Sequence, residues 1–233
     1  MAIGYIRKKQ KLNHNGEVKE ANTDDGGFAG CEDDLGQEQD KGDNGGSSGG
    51  VATGTINGHE YVDLGLPSGL KWATCNVGAN SPEDYGNYYA WGETTTKSLY
   101  TADNSLTYGR NMDDIRGNVN YDAARANWEG SWRLPTKREM EELLNNCTWT
   151  WTTQNAVNGY KVTGLNGNSI FLPVAGYCYG SLRYDVGEYG SYWSSTPYER
   201  NTDDACTLGF SSGYHGTHWN FRYYGHRVRP VSN

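Results

Sequence analysis

YKVTGLNGNSIFLPVAG, residues 160–176, is the stretch whose reading decides the fold. β-branched and aromatic side chains flank Asn166-Gly167 on both sides, and Asn-Gly supplies the positive φ angles of a tight hairpin turn, so two antiparallel strands are predicted. Pro173 has no N–H for a ladder and is expected to end the second strand. Upstream, LPTKREMEELLNNC (134–147) reads as a helix. Thr136 and Glu139 have capping-box spacing after Pro135, while Met140, Leu143 and Leu144 fall on one face. A shorter helix is expected at DAARAN (122–127). The rest of the chain from Val51 shows short alternating runs broken by Gly and Asn-Gly, and its eight tryptophans supply large core anchors. These features predict an α+β fold with antiparallel β-sheet and two helices.

Composition divides the chain at about the same place. Residues 16–50 hold ten acidic side chains against two lysines, many glycines and almost nothing to bury. Such a segment cannot offset the entropy of ordering, so residues 1–50 are expected to be a disordered acidic, Gly/Ser-rich tail or linker, and residues 51–233 the folded domain. The charge of −8 on residues 16–50 equals that of the whole 233-residue protein, which leaves all the other residues balanced at eighteen basic and eighteen acidic. No basic stripe follows residue 50, so nucleic acid is not an expected partner. Arg7, Lys8, Lys9 and Lys11 read as a solvated terminus or an assembly segment. No apolar run approaches the ~20 residues of a membrane span. MAIGYIRKKQ lacks the apolar core of a secretory signal, and the expected placement is a virion or otherwise a cell surface. Five dispersed cysteines (Cys31, Cys75, Cys147, Cys178 and Cys206) form no CxxC pair. Free thiols are the expectation, with a disulfide between two of them left open.

Catalytic motifs are weak. GFSSG (209–213) matches a nucleophile elbow, but no Asp or Glu follows Ser211 and SSGYHG is turn-like. His215 and His218 have H-x-x-H spacing without a fixed third ligand, and read as contact residues. Glu199, Asn201, Asp203 and Asp204 read as a solvated acidic loop before a calcium site. There is no Walker A sequence and no Rossmann fingerprint. No catalytic residue, metal or cofactor is expected.

The informative segment is CTLGFSSGYHGTHWNFRYYGHRVRP, residues 206–230. Its Tyr, Ser, Gly and Asn content is that of antibody paratopes, where rigid amphipathic rings supply contact area and small polar residues adapt. Leu208 and Phe210 alternate with Thr207 and Gly209, which predicts one face in the core and the other on display. Arg227-Val228-Arg229-Pro230-Val231 reads as a core-like strand. If AAY codons varied at their first two bases, Lys, Glu, Gln, Met and Trp could not arise, and between Arg200 and His226 only Trp219 lies outside the permitted set. The expected binding residues are Tyr198, Arg200, Asn201, Asp203, Thr207, Gly209, Tyr214, His215, Thr217, His218, Asn220, Tyr223, Tyr224 and His226.

Five stretches, EYVDLGLPSGLKWATCNVGANSPEDYGNYYAWGET (60–94), NWEGSWRLPTKREMEEL (127–143), NGYKVTGLNGNSIFLPVAGY (158–177), GSYWSSTPY (190–198) and RVRPV (227–231), together resemble the Fibrobacter succinogenes major paralogous domain. The resemblance implies a C-type lectin-like fold related to the formylglycine-generating enzyme, as found in Bacteroidetes and their phages. It also implies a variable protein of a diversity-generating retroelement, with variable segment 198–226 and fixed positions at Trp193, Ser194, Ser195, Leu208, Phe210, Arg222, Gly225 and Val228. Cys178 and Cys206 match no motif of the formylglycine-generating relatives, so the expected function is non-enzymatic. That function is a phage-tail adhesin or bacterial surface protein binding a protein or glycan on a target cell. A lectin-fold enzyme, a purely structural surface protein and a homo-oligomeric state stay open as alternatives.

Overall fold

The computed structural model describes residues 52–233, so the expected tail at 1–50 lies outside the described residues. β1 (Gly54–Ile56) and β2 (His59–Asp63) form a hairpin through Asn57 and Gly58, both at positive φ, and β3 (Lys71–Ala73) pairs with β2. A long loop region leads to α1 (Ala123–Trp128). Its cap is Asp122, buried, whose Oδ1 accepts from the Ala124 and Arg125 N–H groups at 2.9 and 3.1 Å. The second oxygen accepts from Gly117 and Leu134, so one carboxylate ties the helix start to two loops. In α2 (Lys137–Asn146) both halves of the Thr136–Glu139 capping box form. Burial pushes the Glu139 carboxyl up, but Arg133 at 2.7 Å and the Thr136 N–H outweigh it and hold it below its ordinary value.

β4 (Thr148–Gln154), β5 (Val157–Thr163) and β6 (Ser169–Pro173) make a three-stranded antiparallel sheet. The β5–β6 turn carries Gly167 at φ +86°, and β6 stops at Pro173, both as the sequence predicts. Next come β7 (Ala175–Tyr179), β8 (Leu182–Val186), β9 (Tyr189–Pro197), β10 (Asp204–Ser211) and β11 (Tyr214–Phe221), in the sheet order β11-β10-β9-β7-β8. Pairing is antiparallel except where β7 meets β9 in parallel at Gly176 and Gly190. β12 (Val231–Ser232) returns beside β3, so the first and last strands of the described domain share one sheet. The result is a mostly antiparallel α+β fold of lectin-like type, as the sequence predicts.

Two large clusters make most of the core, beside a smaller one of Tyr88, Ala90, Tyr100 and Cys178. In one, Met140 and Leu143 of α2 meet Leu172, Tyr192, Leu208 and Phe210. In the other, Trp91, Trp132 and Trp193 pack with Ala124 and Val228. The expected strand at 227–231 is corrected, since only Val231–Ser232 is a strand. Residues 227–230 are buried but pair with neighbours by scattered single bonds, because Pro230 lacks an N–H and the arginines turn inward. Arg222, Arg227 and Arg229 are all buried, and among the described residues none meets a carboxylate. Each donates instead to backbone carbonyls, which supplies the partners that loop-rich backbone cannot find in a ladder.

Candidate functional site

The β10–β11 hairpin closes through Ser212 and Gly213, with Gly213 at φ +85°. GFSSG is therefore the end of a strand and a two-residue turn, followed by a second strand, which is not the strand–turn–helix geometry of a nucleophile elbow. β10 runs between β9 and β11, and residues 205–210 are buried throughout, so its expected displayed face is corrected. Leu208 and Phe210 face the core as predicted. On the opposite side, Thr207 Oγ1 accepts from Asn220 Nδ2 at 2.7 Å, a buried pair in which each satisfies the other. Gly209 lies beneath Tyr189 and His218: a Cβ there would come within 2.1 Å of the Tyr189 hydroxyl and 2.7 Å of the His218 ring. His226 is buried edge-on to Trp193 with ring centroids 4.4 Å apart, and neither ring nitrogen has a partner. Burial, and secondarily the Arg227 charge, lower its pKa to about 3, so the ring is neutral. Thr207, Gly209, Asn220 and His226 are thus interior residues and not displayed ones.

Along the edge strand β11, alternation divides the remaining candidates between two faces. Tyr214 and His218 share one, with the hydroxyl 2.9 Å from His218 Nε2. His215 and Thr217 take the other, where the His215 ring stacks on Trp149 at 4.8 Å and 7°. The two histidines of H-x-x-H therefore point to opposite sides of the sheet and cannot share an ion. Burial lowers both imidazole pKa values. Tyr198 leans on Trp219 at 4.4 Å. Arg200 and Asn201 are exposed, and Asn201 Oδ1 accepts from the Asp203 and Asp204 N–H groups at 3.0 and 2.9 Å, a turn that launches β10. Asp203 accepts from the Tyr108 hydroxyl at 3.4 Å.

Tyr223 and Tyr224 belong to a larger assembly. Tyr223 stacks on Phe221 at 5.2 Å and 10° and meets the Tyr108 ring edge-on at 5.0 Å. Tyr224 stacks on Tyr177 at 5.7 Å, Tyr177 on Tyr184 at 5.5 Å, and Tyr179 touches both Tyr223 and Tyr224. Seven rings thus form one connected tract, all partly or largely open to solvent. Tyr177 and Tyr184 face each other across β7–β8, and Tyr179 faces Leu182, so hairpin register sets their spacing. Tyr179, at the end of β7, is 45% exposed, and its partner Leu182 is 60% exposed on the edge strand β8, whose every residue is open. Burial pushes the Tyr177 phenol up to about 12, so it stays a neutral donor and acceptor at physiological pH.

Tyr108, Tyr177, Tyr179, Tyr184 and Phe221 are absent from the sequence-derived site. A signal was present in YCYGSLRY (177–184), where tyrosines flank a glycine turn at strand spacing. Among the described residues the four cysteines are free, and burial drives the Cys178 thiol up and the Cys206 thiol to about 12, so both are protonated at neutral pH. Among the described residues, no three His, Cys, Asp or Glu side chains group to hold a metal ion, and no helix is long and apolar enough to cross a membrane.

A mostly antiparallel scaffold with two helices defines the class as a lectin-like α+β domain. The chain belongs to the Lcl C-terminal domain family, whose sequence pattern matches residues 65–232, in agreement with the resemblance described above. Comparison with curated proteins finds no match, and comparison with solved structures finds none either.

Proposed function

We propose that the domain is a non-enzymatic binding module that grips a protein or glycan on another cell, as a phage-tail adhesin or a bacterial surface adhesin does. The observation that carries this reading is the seven-ring tract of Tyr108, Tyr177, Tyr179, Tyr184, Phe221, Tyr223 and Tyr224. Tyrosines locked by mutual stacking lose little entropy on binding, and each offers an apolar face with a polar tip. Anchors of this kind dominate binding energy at interfaces. A diversifiable surface is part of the proposal. Membership of the Lcl family supports it, as does the contrast between buried Trp193, Leu208, Phe210, Arg222 and Val228 and the more open Arg200, Asn201, Tyr214 and Tyr223.

Two experiments test the reading. Fluorescently labelled full chain is incubated with a panel of intact bacterial cells. Replacing Tyr179, Tyr184 and Tyr223 together with Ala is expected to reduce retention at least about a hundredfold, since each anchor contributes roughly 1–2 kcal/mol, with the far-ultraviolet spectrum unchanged. Equal retention by the folded variant would point to a structural protein instead. For the genetic part, the DNA beside the gene is expected to hold a near-identical copy of the 3′ coding sequence that differs only at template adenines. A locus with no such copy and no reverse transcriptase removes the diversification element and leaves the binding element to the first experiment.

A further inference from the structure

The aromatic tract has a carboxylate at each end. Tyr184, Tyr177, Tyr224, Tyr223 and Tyr108 follow one another with ring centroids 5.0–5.7 Å apart. At one end the Tyr108 hydroxyl lies 3.4 Å from Asp203 Oδ2, and the Asp203 and Asp204 charges add to burial in raising that phenol's pKa. At the other end is Asp185, exposed and next in the chain to Tyr184. It lies close enough for its charge to add to burial in raising the Tyr177 and Tyr189 phenols. Among the described residues, neither Asp185 nor Asp203 forms an ion pair with Lys or Arg. Buried Arg222 feels both Asp203 and Asp204, but its nitrogens are bonded to the Thr107, Arg110 and Asp204 carbonyls. One interior cation thus faces two carboxylates, and the surface keeps a negative excess.

The domain's own cations lie over other rings. Lys71 sits over Tyr61, Lys97 over Tyr100, Arg222 over Trp91, and Arg183 and Arg227 over Tyr88. Among the described residues, no Lys or Arg covers Tyr179, Tyr184 or Tyr223. Arg183, the one basic residue of the β7–β8 hairpin, stands opposite Cys178 and by strand alternation leaves the Tyr177–Tyr184 face. The face of an aromatic ring is its negative pole and attracts ammonium and guanidinium groups, most strongly once the contact is desolvated. A guanidinium also stacks flat on such a ring while its N–H fork meets a carboxylate. Open tyrosines between Asp185 and Asp203 therefore offer both contacts that a cationic side chain makes. The row is on the order of 20 Å along its path, a length that about six residues of extended chain span.

We propose that the tract binds an extended basic segment of a partner protein, its arginine or lysine side chains laid over Tyr179, Tyr184 and Tyr223 and paired with Asp185 and Asp203. This rests on the tract being a contact surface and names the chemistry of its partner. The probe is a rhodamine-labelled heptapeptide with arginine at both ends of a Gly-Ser-Gly-Ser-Gly spacer, titrated with the full chain and followed by fluorescence polarisation. It is expected to bind saturably, and more weakly as sodium chloride is added. The same peptide with glutamine at both ends is expected to bind at least about tenfold more weakly, and with glutamate not to saturate. Asp185→Asn suits its turn, since Asp185 has φ +54° and asparagine tolerates that region. Combined with Asp203→Asn it is expected to lower affinity for the arginine peptide about tenfold with the far-ultraviolet spectrum unchanged. In the cell-retention assay, excess arginine peptide is expected to release the bound chain. Suppose retention needs the three tyrosines, yet the arginine peptide binds no better than the glutamine or glutamate one, or the double Asn variant binds it as the wild type does. The contact surface then stands and the basic partner is overturned. Retention lost on periodate treatment of the cells but not on protease treatment points to a glycan and overturns it as well. Retention that ignores the tyrosines removes the contact surface, and this proposal with it.

Discussion

Arg229→Met is expected to cost on the order of 4 kcal/mol of folding stability, a large part of the roughly 5–15 kcal/mol that holds a domain of this kind together. The buried guanidinium of Arg229 donates to the Ala73 and Thr74 carbonyls, to Phe171 O at 2.9 Å and to Asn76 Oδ1 at 2.8 Å. These acceptors come from the end of β3, the loop after it and β6, so one side chain joins two sheets to the C-terminal segment. Methionine fills much of the same volume but donates nothing. It leaves buried oxygens unpaired at about 1–3 kcal/mol each before relaxation. Arg229→Lys is expected to fall between the two, because a single ammonium cannot reach acceptors spread around a planar fork. Urea unfolding of the three proteins measures this. A methionine variant within about 1 kcal/mol of wild type would show that the clamp contributes no more than an ordinary hydrogen bond.

Acidification supplies the second large effect. The pKa of His226 is lowered from 6.5 to about 3 in the folded protein. Between those values the unfolded chain carries a proton that the folded one rejects, so stability is present at neutral pH and declines as pH drops below about 6.5. The slope from this residue approaches 1.4 kcal/mol per pH unit, about 4 kcal/mol or more by pH 3. His215 and His218, lowered by burial, act in the same direction. Asp122 acts oppositely: burial raises its carboxyl, so its contribution is present in acid and fades as pH rises. His226→Phe keeps a flat ring against Trp193 and removes two unpartnered nitrogens. The variant is expected to match or exceed wild-type stability at pH 7 and to lose far less on going to pH 4. Parallel unfolding profiles for the two proteins across that range would refute the assignment.

Of the two residues, His226 was an expected binding residue, and Arg229 lies in the neighbouring stretch that was read as core-like. Arg229 and His226 show that much of the C-terminal stretch builds the scaffold, and that the exposed positions are spaced between interior ones. A surface that tolerates exchange needs such a frame, because a side chain can vary freely only where its neighbours do not depend on its shape.

Features governed by near neighbours were legible in the chain. Asn166-Gly167 specifies its turn through backbone φ, Thr136 and Glu139 close their box across three residues, and Leu208 and Phe210 reach the core through period two. Each depends on contacts a few residues apart or on alternation within one strand, so residue order alone is enough. The covering of Thr207 and Gly209 was decided by tertiary structure, because it needs Tyr189 from β9 and His218 from β11 on either side of β10. The aromatic tract draws on residues 108, 177–184 and 221–224, and Arg227 sits over the Tyr88 ring. Local pattern states which side chains a strand offers to each face. What lies across from that face is set by strand order and loop paths, through contacts that hydrophobic burial forms between distant parts of the chain.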